Sequence, residues 1–308
     1  MVHGSRADGA KWVDRRMKPL VLVDRDMRKI LPPVVVLRPP LQLAPVLFAS
    51  PHSGRDYPEA FVASARLDLQ ALRRSEDSFV DELFSAAPSL GAPMVVANFP
   101  RAFCDANREA WELDPAMFSC VLPHWVNTTS ARVGAGLGTI AKVVASGETI
   151  YRGKLDFADA EARVADCWQP FHDALETEIT ATKARFGKCL LIDCHSMPGA
   201  SQTRQARADV ILGDAHGTTC APRVVRRVED RLAAFGWRVR RNDPYAGGYI
   251  TRHYGRPREG IHALQIEICR SLYMDEQRIE RLAGFEAVKS RFSRLMSEII
   301  AASGFFES

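Results

Sequence analysis

Two rhythms of apolar and polar positions alternate along this chain. Short apolar runs predict strands at Pro45–Ala49, Pro93–Pro100, Cys189–Asp193, Ala208–Asp214 and Trp237–Asn242. In His262–Cys269, Leu264, Ile266 and Ile268 alternate with Gln265, Glu267 and Cys269, a period of two. Between these runs, apolar residues recur at three and four. Val80, Leu83 and Phe84 predict a helix over Ser75–Ala87, closed by Pro88. Val164, Trp168, Phe171, Leu175 and Ile179 predict a long helix over Asp156–Phe186, with Gly187 at its end. A helix over Thr218–Gly236 and an amphipathic one over Glu276–Ala302 follow. Strands alternating with helices predict an α/β sandwich around a mainly parallel sheet. Residues 1–30 are polar and weakly patterned and read as an arm. Residues 31–308 read as one α/β domain.

Composition narrows the class. Hydrophobic content of 46% and charged content of 25% over 308 residues fit a folded globular protein. The net charge is +4, but basic and acidic residues are interleaved, so no nucleic-acid surface is expected. No run approaches the roughly 18 apolar residues of a membrane helix, and Met1–Lys29 carries no apolar core of a signal peptide. Seven cysteines without a CxxC pair fit reduced thiols, hence a cytoplasmic location. Homo-oligomerisation stays open.

The candidate chemistry lies at strand ends. "VLFASPHSG" and "CLLIDCHSMPG" each run from an apolar strand into His-Ser, at His52 and His195. Ligands of open α/β sheets bind at the carboxyl ends of strands, so the two histidines are candidates to converge. Catalytic zinc takes three histidine or carboxylate ligands. The third is expected from Glu76, Asp77 or Asp81, with Asp77 and Asp81 on one helical face. The plainer alternatives are histidines bonded within the fold and Asp77 as a helix cap. Glu267, among buried neighbours, needs a partner. It is either a general base or half of a salt bridge with Arg270 or another arginine. "NFPRAFCDANREAW" gathers Arg101, Asp105, Asn107 and Arg108. An arginine fork there suits a carboxylate, and the alternative is an Arg108–Asp105 structural pair. "NDPYAGGYITRHYGRPREGIHA" reads as a glycine-rich lid or specificity loop, with Tyr249 and His253 as substrate-side candidates. "GAGLGT" lacks the last glycine of a dinucleotide fingerprint and follows no clear strand.

The ordered set "SPHSGRDYP", "EDSFVDELF", "RAFCDANR", "IYRGKLDFADAEAR", "LLIDCHSMPG", "ADVILGDAHG", "NDPYAGGYITRHYGRP" and "ALQIEICRSLYMDE" resembles the N-formylglutamate amidohydrolase family from about Ala44 to the last helix. The resemblance implies a three-layer α/β/α sandwich with a mixed, mainly parallel sheet, in the phosphorylase/hydrolase-like manner of zinc carboxypeptidases. It implies one divalent metal, most naturally Zn2+, and hydrolysis of the N-formyl amide of an acidic amino acid by metal-activated water. The metal ligands then fall on His52, His195 and one carboxylate within Glu76–Asp81, with Asp77 preferred, and the general base on Glu267, while Arg101 is a candidate to assist at the oxyanion. Asn107 and Arg108 grip the substrate α-carboxylate, and Arg101 or an arginine of the glycine-rich loop takes the side-chain carboxylate. Ser78 departs from the pattern, which favours an aromatic after the first aspartate. The alternatives are a deacylase of another N-acyl amino acid, or a non-catalytic binding protein of the same fold.

Overall fold

A computed structural model describes residues 32–199 and 208–301, so the expected arm over residues 1–30 lies outside them. Seven strands form one sheet: β1 (Val34–Leu37), β2 (Val46–Ser50), β3 (Met94–Ala97), β4 (Cys189–Met197), β5 (Val210–Gly213), β6 (Val239–Arg241) and β7 (Ile261–Cys269). Their spatial order is β1-β3-β2-β4-β7-β5-β6. β2 is parallel to β3 and β4, β4 to β7, and β5 to β6. β1 runs against β3, and β5 against β7. The sheet is mixed and mainly parallel, as the alternation of strands and helices predicted.

Both faces of the sheet are covered, which is why β2, β4 and β7 are buried along their whole length. Phe48, Ile192, Leu264 and Ile266 pack against the helices Val80–Leu83, Pro222–Ala234 and Phe285–Ala301. Leu47, Ala49, Leu191 and Ala263 pack against Phe171, Leu175 and Ile179 of the helix Gln169–Phe186. Each fully buried Leu, Ile or Phe contributes about 1.5–3 kcal/mol. The rigid middle strands therefore fix whatever stands at their ends. The chain leaves β2 for β3 on one side and comes back to β4 on the other. The gap between the carboxyl ends of β2 and β4 is thus a topological switch point, where open α/β sheets hold ligands.

Three expected helices come out differently. Over Ser75–Ala87 only Val80–Leu83 is helical, because Phe79 takes a left-handed φ of 67° and breaks the turn before it. Asp77 and Asp81 therefore do not share a helical face. The long helix is wound as Phe157–Arg163, a π-helical stretch Val164–Trp168, and Gln169–Phe186. The last helix begins at Phe285, since Met274–Asp275 and Glu280–Arg281 pair as a short hairpin. Ile279 and Leu282, at helical spacing with Phe285 in the sequence, accordingly precede the helix. Among the described residues no helix is long and apolar enough to cross a membrane, and all seven cysteines are free thiols, of which only Cys120 is exposed.

Candidate active site

The switch point brings the two strand-end histidines together. Their rings stand 4.7 Å apart between centroids, edge to face. Asp77 reaches them through a turn in which its backbone N–H donates to the His52 carbonyl (3.0 Å). Its Oδ2 lies 2.9 Å from His195 Nδ1 and 3.4 Å from His52 Nδ1. One ligand atom from each of His52, Asp77 and His195 falls within 4.8 Å of the others, and all three residues are buried. The other two carboxylates of this segment point elsewhere. Glu76 accepts from Tyr57 Oη (2.8 Å), Arg73 Nε (3.0 Å) and Ser78 Oγ (2.8 Å). Asp81 pairs with Arg55 at 3.1 Å.

Behind each histidine stands a carboxylate. His52 Nε2 is 2.7 Å from Asp105 Oδ1, and Arg101 Nη2 donates to Asp105 Oδ2 at 2.7 Å. His195 Nε2 is 2.9 Å from Asp193 Oδ1. Such carboxylate–imidazole pairs orient histidine ligands towards a cation. Arg270 donates to Asp77 Oδ1 (2.9 Å) and Ser196 Oγ (3.0 Å), and so fixes Asp77 from its far side. Burial alone would raise the Asp77 carboxyl, but the hydrogen bond to His195 and the nearby His52 ring outweigh it and hold it well below the usual range. Burial opposes a charge on His195, yet Asp193 and Asp77 overcome this and push it well above an ordinary histidine.

The cluster fits a divalent cation on an observation of its own: His52 Nδ1 is buried, faces Asp77 Oδ2, and has no hydrogen-bond partner among the described residues. An unpaired buried nitrogen is costly unless something takes its lone pair. Two imidazole nitrogens and one carboxylate are a donor set suited to zinc.

The cluster lies in a cavity of about 390 Å³. Glu267, on β7, is the cross-strand neighbour of His195 on β4. Its Oε1 accepts from Gln265 Nε2 at 2.7 Å, not from Arg270, whose guanidinium is committed to Asp77 and Ser196. Burial, offset in part by His195, pushes Glu267 up to about 7. Arg108 lines the same cavity, its Nε donating to the Leu137 carbonyl (2.8 Å) and its Nη1 to the Asn107 carbonyl (2.7 Å). Burial brings Arg108 down to about 10, and Asp105, 3.8 Å away, compensates only in part. The last glycine of "GAGLGT" serves this packing. A Cβ on Gly138 would stand 2.2 Å from the Glu112 carbonyl, so only glycine lets the strip that carries Leu137 close on Arg108.

Some sequence candidates land elsewhere. The Asn107 side chain is spent on the protein: Nδ2 lies 3.0 Å from His195 Nε2 and 3.4 Å from Asp193 Oδ2, and Oδ1 accepts from Ile250 N–H. Tyr249 and His253 stack on each other (4.8 Å) on the helix Tyr249–Tyr254 and do not line the cavity. Just before them the backbone of Gly248 comes so close that a Cβ there would meet Asn107 Nδ2 at 2.3 Å. The loop thus offers its Pro244–Gly248 stretch to the cavity, while the Tyr249 and His253 rings lie outside the lining. Ser53 bonds Ser50 (2.6 Å), and Ser196 is held between Asp77 and Arg270, so neither is a free nucleophile. Three participants escaped the sequence reading. Gln265 was visible only as a polar residue in the β7 alternation, and the contact of Arg270 with Asp77 gave no local signal. Arg132, which lines the cavity, stood in an unpatterned loop.

Comparison with known proteins shows that the chain is a hydrolase acting on an amide bond. A family model described as N-formylglutamate amidohydrolase matches residues 44–274, and the chain belongs to that family. N-formylglutamate deformylase of Pseudomonas aeruginosa is 32% identical over 240 residues, covering 76% of this chain and 83% of the relative. The enzyme of the same name from Pseudomonas putida is 29% identical over 239 residues, covering 75% and 82%. The crystal structure of N-formylglutamate amidohydrolase from Ralstonia eutropha JMP134 superposes with a TM-score of 0.83 at 35% identity, covering 87% of this chain and 97% of that one. An Agrobacterium tumefaciens gene product shares the fold, with a TM-score of 0.61 at 19% identity over 89% of this chain and 94% of that one.

Proposed function

We propose that this protein hydrolyses the N-formyl amide of an acidic amino acid, with N-formyl-L-glutamate and water giving formate and L-glutamate. The observation that carries the reading is the buried His52–Asp77–His195 cluster facing Glu267 in one arginine-lined cavity. The names of the relatives supply the acyl group and the amino acid. We assign His52 Nδ1, Asp77 Oδ2 and His195 Nδ1 to hold one divalent ion, Zn2+ by donor type. Bound there, it would supply Lewis-acid polarisation next to the scissile amide.

The chain's own groups carry the proton transfers. Glu267 Oε1 is held by Gln265, which leaves Oε2 for the attacking water. A base poised near neutrality is suited to this transfer. As the water oxygen bonds to the formyl carbon, its proton passes to Glu267. The carbonyl oxygen gains charge, and N–H groups of Arg101 left free by its bond to Asp105 face it. Collapse breaks the C–N bond, and Glu267 returns the proton to the leaving amine nitrogen. Arg108 grips the α-carboxylate. Asn107, with its amide turned to His195 and Asp193, positions the histidine instead of touching substrate.

The test joins metal analysis to a substrate panel. One divalent ion per chain is expected in the native protein, and none in His52→Ala or His195→Ala. Formate release is expected from N-formyl-L-glutamate and much less release of acetate from N-acetyl-L-glutamate. Full metal retention in either variant overturns the cluster assignment. Equal turnover of both substrates replaces the deformylase reading with a general N-acyl hydrolase.

A further inference from the structure

Among the described residues four arginines line the cavity: Arg101, Arg108, Arg132 and Arg270. Two have their charge matched by a contacting carboxylate, Arg101 by Asp105 and Arg270 by Asp77. Arg108 is held by two carbonyls, with Asp105 only at 3.8 Å. Arg132 has no side-chain hydrogen bond or ion pair among the described residues, and its position on the short helix Ala131–Gly134 is exposed at the cavity rim. The sequence reading gave the side-chain carboxylate of the substrate to Arg101 or to an arginine of the glycine-rich loop. The charge of Arg101 is already matched by Asp105 and its remaining N–H groups are assigned to the reacting carbonyl, and Arg252, Arg256 and Arg258 do not line the cavity.

We propose that Arg132 is the specificity-determining residue for the distal carboxylate of the substrate, so that Arg108 and Arg132 form a two-point receptor for an amino-acid dicarboxylate. The argument is one of unmatched charge. Arg108 and Arg132 line one cavity, near enough that Arg132 adds to burial in lowering Arg108, and the nearest carboxylate paired with either among the described residues is Asp105, 3.8 Å from Arg108. A dianion answers both, whereas a neutral side chain leaves Arg132 unmatched. Discrimination then comes from binding the distal group and not from the reacting amide.

The proposal rests on the reading of the cavity as an N-acyl amino acid site, and its test avoids turnover so that the two can fail separately. Calorimetric binding of L-glutamate and L-glutamine, the product and its neutral isostere, is measured on metal-replete native, Arg132→Ala and Arg132→Lys proteins. The native chain is expected to prefer glutamate by roughly 10- to 100-fold, the range of a charged hydrogen-bond pair. Arg132→Ala should bring glutamate down to the level of glutamine, and Arg132→Lys should restore part of the preference. A preference that survives Arg132→Ala overturns the proposal, as does a native protein that does not distinguish the two ligands. Absence of formate release from N-formyl-L-glutamate would instead count against the deformylase reading alone.

Discussion

The arginines that line the cavity use their charge in two ways. Arg270 and Arg101 each meet a buried carboxylate at hydrogen-bond distance, and those carboxylates hold the histidine cluster. Arg108 has Asp105 only at 3.8 Å, and Arg132 has no ion pair among the described residues. The same residue type is structural where its charge is matched within the chain, and receptive where it is not. Matched pairs preorganise the cluster before substrate arrives, and unmatched charges reserve their strongest interactions for it.

Glu267, in the same cavity, should give the largest effect. Glu267→Gln keeps volume and fold but removes the proton acceptor. The kcat for deformylation should fall by about 10²- to 10⁴-fold with KM little changed. A folded, metal-loaded variant turning over near the native rate would remove Glu267 from the mechanism.

The comparison itself is sharpest in a pair of variants. Arg270→Ala leaves the buried Asp77 charge without its partner and should cost roughly 3–5 kcal/mol of stability in the metal-free protein. Arg108→Ala should act mainly on function, lowering kcat/KM by about 10- to 150-fold. An α-amidated substrate should lose a similar factor on the native enzyme and little more on the variant. Denaturant titration and kinetics on both proteins would break the contrast if the effects came out reversed.

A further effect concerns what holds the strip that carries Arg108. His172 Nε2 donates to the Ala106 carbonyl (2.9 Å) and Nδ1 meets Tyr254 Oη (2.9 Å), beneath the strip that carries Asn107 and Arg108. Trp168, at the end of the π-helical stretch, donates from Nε1 to the Arg108 carbonyl (2.9 Å). Burial lowers His172 to about 4 from an ordinary 6.5. The neutral ring is the one the fold accommodates. Its contribution is therefore present above pH 6.5 and lost as pH falls towards 4, by at most about 3 kcal/mol. Melting curves across that window should show the loss, and His172→Gln should flatten that part of it. An unchanged slope in the variant would assign the acid sensitivity elsewhere.

Much of this molecule was legible before folding was considered. Leu264, Ile266 and Ile268 announced β7, and the apolar runs ending at His52 and His195 announced the switch point. Both signals are local, because a strand's period of two and its abrupt polar end are written in consecutive residues. The helix expected over Ser75–Ala87 failed for the complementary reason. Phe79 adopts a left-handed backbone, and its ring stands 6.1 Å from Phe285 between centroids. The contact reaches across the chain, and no period within the segment encodes it.

The sequence by itself determined the alternation of strands and helices, the pair of strand-end histidines and the presence of a buried glutamate on β7. These follow from periodicity and from the cost of burying polar groups. Only the tertiary structure decided which carboxylate faces the histidines, that Gln265 and not an arginine holds Glu267, that the Asn107 amide is bonded to His195 and Ile250, and that the Tyr249–His253 stack lies outside the cavity lining. It also decided which arginines are free. Arg270 meets Asp77 across 193 positions of chain, while Arg132 has no such partner among the described residues. Whether a charge is matched depends on what lies within a few ångströms of it, and that is set by how distant segments pack.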